Sequence, residues 1–388
     1  MSLVILGLLT TFGPMSIDLY VPAFPDVALD LGVPVTTVPL TLTTSMVGMG
    51  VGQILYGPLS DRFGRKKPLL GGLVLFTVAS IACALAPSFQ VLLGFRFLQS
   101  LGGAAGVVIA RAIVRDLYHG KDLAKALSIV VMVFGLAPVL SPTLGAGLLE
   151  LGGWRTLFYF LALFGVACIA ASSAIPETLP PDRRTDHGLG SALRVYVTLA
   201  KDPRFLAPAL LIGFTYVTLF GFISTAPAIL MDYFGLSELS FAVLFGFLSL
   251  SYALGAPINR RLLSSFSIQQ LIAAAVVLQV IAAAVLLWSG LIGPRLIVFV
   301  VAVGVAMMTV AIVSANGTAL ALDPFPASAG SAAALVGLFG MTVGASVSSL
   351  LVVLHFPVVT ELATTMLLGA LAGLAMLPFI AEKRRRAR

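Results

Sequence analysis

The chain has 388 residues, of which 59% are apolar and 10% charged, with a mean hydropathy of +1.07 and a formal net charge of +7. A soluble domain is usually about a quarter charged, so this composition excludes an ordinary globular protein and implies an integral membrane protein. Cys83 and Cys168 lie far apart inside apolar stretches, His119, His187 and His355 stand singly, and no Walker A, G-x-S-x-G or H-E-x-x-H pattern occurs, which argues against a disulfide framework, a metal site, ATP-driven pumping or hydrolysis.

Hydrophobic stretches of roughly twenty residues, each long enough to cross a hydrocarbon core of about 30 Å, recur along the chain. They predict an all-α fold with twelve transmembrane spans at 3–24, 38–59, 68–86, 90–113, 124–149, 155–176, 205–230, 237–258, 268–290, 293–316, 330–353 and 358–380. With both termini cytoplasmic, Lys and Arg fall almost entirely inside: Arg62, Arg65, Lys66 and Lys67, then Arg115, Lys121 and Lys125, then Arg183, Arg184, Arg194, Lys201 and Arg204, then Arg260 and Arg261, and the basic tail. Only Arg155 and Arg295 remain outside, and the positive-inside rule accounts for the net charge without nucleic acid.

The first span lacks a basic leader and runs into "MSIDLYVPAFP" instead of a small-residue cleavage site, so it is expected to stay as a helix. Of the sixteen acidic residues, Asp18 alone lies well inside a span on a continuous apolar background. Low dielectric disfavours a charged carboxylate, which suits a group that takes up and releases a proton. The other reading is permanent pairing with a buried cation such as Arg96.

Between the second and third spans stands "GPLSDRFGRKK", which resembles the loop signature of the major facilitator superfamily at Gly57, Asp61, Arg62, Gly64, Arg65 and Lys66. Gly57 allows close helix approach and Gly64 a tight turn, while Asp61 suits a cation or a positive helix N-terminus. The resemblance implies a cytoplasmic latch that gates conformational exchange. In the fourth span, "GFRFLQSLGGAAG" places Arg96 about a third of the way in, where a charge costs about 2.5–3.5 kcal/mol and needs an interior partner. The small residues after it resemble the superfamily's helix-4 motif. The fifth span, "GLAPVLSPTLGAGLLE", resembles the antiporter motif but has Ser141-Pro142 and Gly145-Ala146 where that motif has Gly-Pro and Gly-Gly. Its small residues still suit tight packing, with a kink at Pro138 or Pro142.

Residues 177–204 form the one long polar segment, dividing the chain into a six-helix half at 1–176 and another with a basic tail at 205–388. Six plus six is the architecture of two transporter halves. A weak echo joins "PAFPDVALDLG" to "PAILMDYFG", and "YGPLSDR" to "GAPINRR".

Four further stretches resemble the drug:proton antiporters of the bicyclomycin and chloramphenicol resistance (Bcr/CflA) branch. They are "DLYVPAFP", "RAIVRDLY" with Arg115 and Asp116, "FISTAPAIL", and "SANGTALALDPFPASAGSAAAL". The resemblance implies the major facilitator fold and proton-driven export without a cofactor, with Asp18 as the proton and substrate carboxylate and Arg96 or Arg115 as its cationic counterpart. The cargo site is expected between the halves near midplane, with Asp18, Tyr20, Gln53, Arg96, Gln99, Tyr216, Phe222 and Asn316 as candidate lining residues. Few polar groups amid apolar walls suit an amphipathic, uncharged or weakly cationic drug, and the resemblance puts phenicols first and bicyclomycin next. A monomer in a bacterial inner membrane is expected. The competing readings are a proton-coupled importer of a sugar or organic acid and, from other classes, a channel or a membrane-embedded enzyme.

Overall fold

A computed structural model describes residues 3–34, 37–184, 189–352 and 357–381, and among them there is helix but no strand. The N-terminal helices are α1 (Leu3–Thr10), α2 (Phe12–Asp18), α3 (Phe24–Asp30), α4 (Leu40–Phe63), α5 (Lys66–Ala84), α6 (Phe89–Leu117), α7 (Gly120–Gly152) and α8 (Trp154–Ser173). They are followed by α9 (Leu189–Lys201), α10 (Pro203–Pro227), α11 (Glu238–Leu262), α12 (Ile268–Ile292), α13 (Leu296–Leu322), α14 (Ala329–Val352) and α15 (Val358–Ala381).

Eight helices are long and apolar enough to cross a membrane, and α1 with the helix that follows makes a ninth crossing if the bent pair is one span. Helices α4, α7 and α11 cover the remaining predicted spans. Helix α4 carries Thr41, Thr43, Thr44, Ser45 and Gln53 along its length. The molecule is therefore a multi-pass membrane protein.

The first span is not the continuous helix expected at 3–24. It bends by 44° at Thr11. Pro14 has no N–H to give the carbonyl of Thr10 and its ring crowds that carbonyl, which is the ordinary cause of such a kink. Asp18, expected well inside a span, is the last residue of α2, and the chain turns through Leu19 and Tyr20 before a short 3-10 turn at Val21–Ala23. The polar segment after α8 contains α9, with Tyr196 and Leu199 buried one turn apart.

Two compact units result. One contains Met1–Leu117, Leu136–Tyr196 and Pro326–Leu335, and the other contains Tyr118–Gly135, Val197–Phe325 and Val336–Arg388. In the first, α4 packs on α6, and α5 on α6 and α8. In the second, α10 and α12 both pack on α13 and α15, while α11 packs on α13. The α4/α6 contact depends on Gly48 and Gly52, where a Cβ would strike the carbonyls of Phe97 and Leu101. Small residues let membrane helices approach until backbone meets backbone.

Candidate functional site

The break after α2 is organised by Arg96 of α6. Its guanidinium is wholly buried and donates from Nη1 to Ser16 Oγ (2.9 Å) and Gln99 Oε1 (2.7 Å), and from Nη2 to the Ser16 carbonyl (3.0 Å). It also lies over the rings of Tyr20 (4.8 Å) and Phe158 (5.6 Å). A buried cation needs hydrogen bonds to offset lost hydration, and a carbonyl near a helix C-terminus carries the partial negative charge to supply one. Gln99, one turn along the same helix, passes the network on through its amide to Ser80 Oγ (2.8 Å).

The expected cationic partner of Asp18 is thus engaged elsewhere. Asp18 is half-buried and, among the described residues, has no hydrogen bond or ion pair. Permanent pairing with Arg96 is not what the geometry contains. Arg115, the other candidate, is buried near the far end of α6. Gly145 of α7 sits against this same break, since a Cβ there would strike the Leu19 carbonyl. Pro138 and Pro142 lie within the uninterrupted helix α7, with side chains outside the described residues.

The 57–66 segment forms a second polar centre in the same unit. Asp61 accepts Arg65 Nη1 (2.6 Å), the backbone N–H groups of Gly330 (2.9 Å) and Ser331 (2.8 Å), and Ser331 Oγ (2.8 Å). It therefore meets both a cation and the positive N-terminus of α14. Arg65 also donates from Nε to Asp116 (2.8 Å), which in turn accepts Thr178 Oγ1 (3.0 Å). Gly57 lies where a Cβ would press on the Tyr196 hydroxyl (2.8 Å), Ala334 (2.9 Å) and the Gly330 carbonyl (3.0 Å). Gly64 has φ +88°, and a Cβ there would also collide with the Glu177 carboxylate. Arg62 points at the ring of Phe63, and Lys66 Nζ donates to the Ser173 carbonyl (2.7 Å).

Glu177 is the member of this centre that the sequence did not mark. It accepts the backbone N–H groups of Arg65 (2.8 Å), Lys66 (3.2 Å) and Leu179 (3.0 Å), so a loop carboxylate closes the N-terminus of α5. Burial pushes its pKa up, but those three N–H groups and the Arg184 charge together bring it below the ordinary glutamate value. Two of its partners, Arg65 and Lys66, lie more than a hundred residues away in sequence. The fragment "PETL" alone carries no sign of them.

The remaining candidates divide between the two units. Tyr20 and Gln99 join Arg96, and Gln53 is buried in α4. In the second unit the Tyr216 hydroxyl meets Ser314 Oγ (3.0 Å) and Phe222 stacks on Phe245 at 5.3 Å. Asn316 is wholly buried and donates to Asn259 Oδ1 (2.7 Å), while Asn259 donates to Ser128 Oγ (2.8 Å). No group of three His, Cys, Asp or Glu side chains that would hold a metal ion occurs among the described residues.

Repeated apolar crossings and a broken first span closed around a buried cation suit a membrane transporter. The family model described as Major Facilitator Superfamily matches residues 6–349, and the chain belongs to that superfamily of transporters. A chloramphenicol resistance protein of Pseudomonas aeruginosa is 32% identical over 352 residues, covering 87% of this chain and 80% of that one. A bicyclomycin resistance protein homolog of Haemophilus influenzae is 28% identical over 377 residues, covering 96% of this chain and 94% of its own length. Both bear the names of the branch that the sequence resembles. The solved proton:xylose symporter XylE, at 15% identity and a TM-score of 0.77 over 97% of this chain and 93% of its own, shares the fold.

Proposed function

We propose that the protein is a proton-coupled exporter of small amphipathic drugs, phenicols first, working by alternating access in a bacterial inner membrane with both termini cytoplasmic. It acts without a cofactor, as a monomer, on the proton gradient alone. The observation that carries this reading is the division of labour at the first break. Arg96 is held by neutral acceptors, and Asp18 in the same break has no hydrogen bond or ion pair among the described residues. A carboxylate not tied as structural glue is available to alternate between a proton and a cargo group. The names of the two resistance proteins support drug as the cargo class.

The test expresses wild type and Asp18→Asn at matched membrane levels in an efflux-deficient bacterium. Growth inhibition is compared for phenicols, bicyclomycin, a lipophilic cation and a sugar-analogue toxin. Resistance to one or more drugs that disappears in Asp18→Asn is the expected result and identifies the cargo class. Equal sensitivity of wild type and empty cells to every drug, or faster killing by the sugar analogue, would overturn export.

A further inference from the structure

Asp18 is joined to the start of α8 by a stiff segment. From Leu19 to Asp30 the chain makes a turn, the 3-10 turn at Val21–Ala23 and then α3, with Pro22 and Pro25 fixing φ at two positions. Tyr20 N–H donates to Ile17 O (3.1 Å) and Ala23 N–H to Tyr20 O (3.0 Å), so the segment is hydrogen-bonded along its length. If it kept a helical rise, it would reach roughly 18 Å.

Two contacts fasten this segment to α8. Near Asp18, the Tyr20 ring packs against Phe158 at 5.4 Å, beneath the Arg96 guanidinium. At the far end, the Asp30 carboxylate accepts Trp154 Nε1 (3.1 Å) and pairs with Arg155 Nη1. Arg155 lies over the Trp154 ring at 4.3 Å, and Trp154 meets Phe158 edge to face at 5.8 Å. Trp154 and Phe158 are four residues apart, so the helix presents both on one face. A continuous chain of contacts therefore runs from Asp30 through Trp154, Phe158 and Tyr20 to Arg96.

We infer that Asp30, Trp154 and Arg155 are positioning residues: this clamp at the start of α8 sets the register of the Leu19–Asp30 segment and with it the presentation of Asp18. Its ion pair is part exposed, so a role in overall stability alone is expected to be small. Its effect is instead expected where the rigid segment ends. The consequence for drug affinity rests on the function proposed above, whereas the effect on residue 18 does not.

The experiment keeps these two apart. In a Cys83→Ser/Cys168→Ser background, Asp18→Cys is labelled with a maleimide in membranes, alone and with Arg155→Asp, Asp30→Arg or both. Each single reversal is expected to change the labelling rate by about two- to fivefold, and the double reversal to restore it. In parallel, Arg155→Asp with Asp18 intact is expected to raise the half-saturating drug concentration by a similar factor at an unchanged maximal rate, again restored by the double reversal. Labelling at position 18 that no reversal alters, at matched expression, would overturn the clamp whatever the transport assay gives. Restored labelling in a protein that exports no drug would uphold the clamp and overturn Asp18 as a drug site.

Discussion

Arg96 is a buried cation held by one hydroxyl, one amide oxygen and one backbone carbonyl, with two aromatic rings against its face. Only a planar fork can serve these together, because a lysine ammonium is a point charge that neither spans Ser16 and Gln99 in the same way nor stacks flat. Arg96→Lys is therefore expected to cut the proposed drug export about tenfold, or about 1.4 kcal/mol, while membrane levels stay within twofold of wild type. Transport in reconstituted vesicles at equal protein checks it, and full activity of the lysine variant would refute the bidentate role. The need for an interior partner was legible from the depth of Arg96 in its span, and Gln99 from its place one turn along. Ser16 was not, because its carbonyl became available only where α2 ends and the Tyr20 N–H turns to the Ile17 carbonyl instead. The same break explains why Asp18 read as a mid-span residue: hydropathy records the apolar neighbours and is blind to where a helix ends.

Among the elements, α5 shows how a helix end depends on a distant loop. Three backbone N–H groups converge on Glu177, two of them from the first turn of α5, and capping of this kind is worth about 1 kcal/mol. The native pKa of Glu177 is below its ordinary value of 4.5, so the stabilisation is fully present above that value and is lost as pH falls through the native pKa. Glu177→Ala is accordingly expected to melt roughly 1–3 °C below wild type at pH 7, with the gap closing as the pH falls from 4.5 through the native pKa. Thermal scans of the purified protein across that range decide it, and a gap that stays constant with pH would remove the charge from the explanation. The strongly apolar helices were legible from hydropathy alone, whereas α9 was masked by the polar composition around it. Tyr196 and Leu199, three positions apart, are the signal that would have revealed it.

The molecule as a whole divides within its polar segment, between Tyr196 and Val197, but not only there. Pro326–Leu335, late in the chain, belongs to the compact unit built from its beginning, and Tyr118–Gly135 belongs to the other. Most of the polar contacts of Asp61 come from this exchange: three of its four hydrogen bonds are with Gly330 and Ser331, and only the bond from Arg65 is local. A fragment ending at Arg184 would keep Arg65 and Asp116 but leave Asp61 with donors missing in a buried place. Breaking such a set typically costs about 3–5 kcal/mol, a large part of the net stability of a domain. Expressed alone, residues 1–184 are therefore expected to accumulate several-fold less in membranes than when residues 185–388 are supplied as a second polypeptide. The rescue should fail when the second polypeptide carries Ser331→Pro, which removes both a backbone and a hydroxyl donor from Asp61. Equal accumulation of the first fragment with and without its complement would mean that the contacts within 1–184 suffice, and that Asp61 does not need the start of α14 to fold.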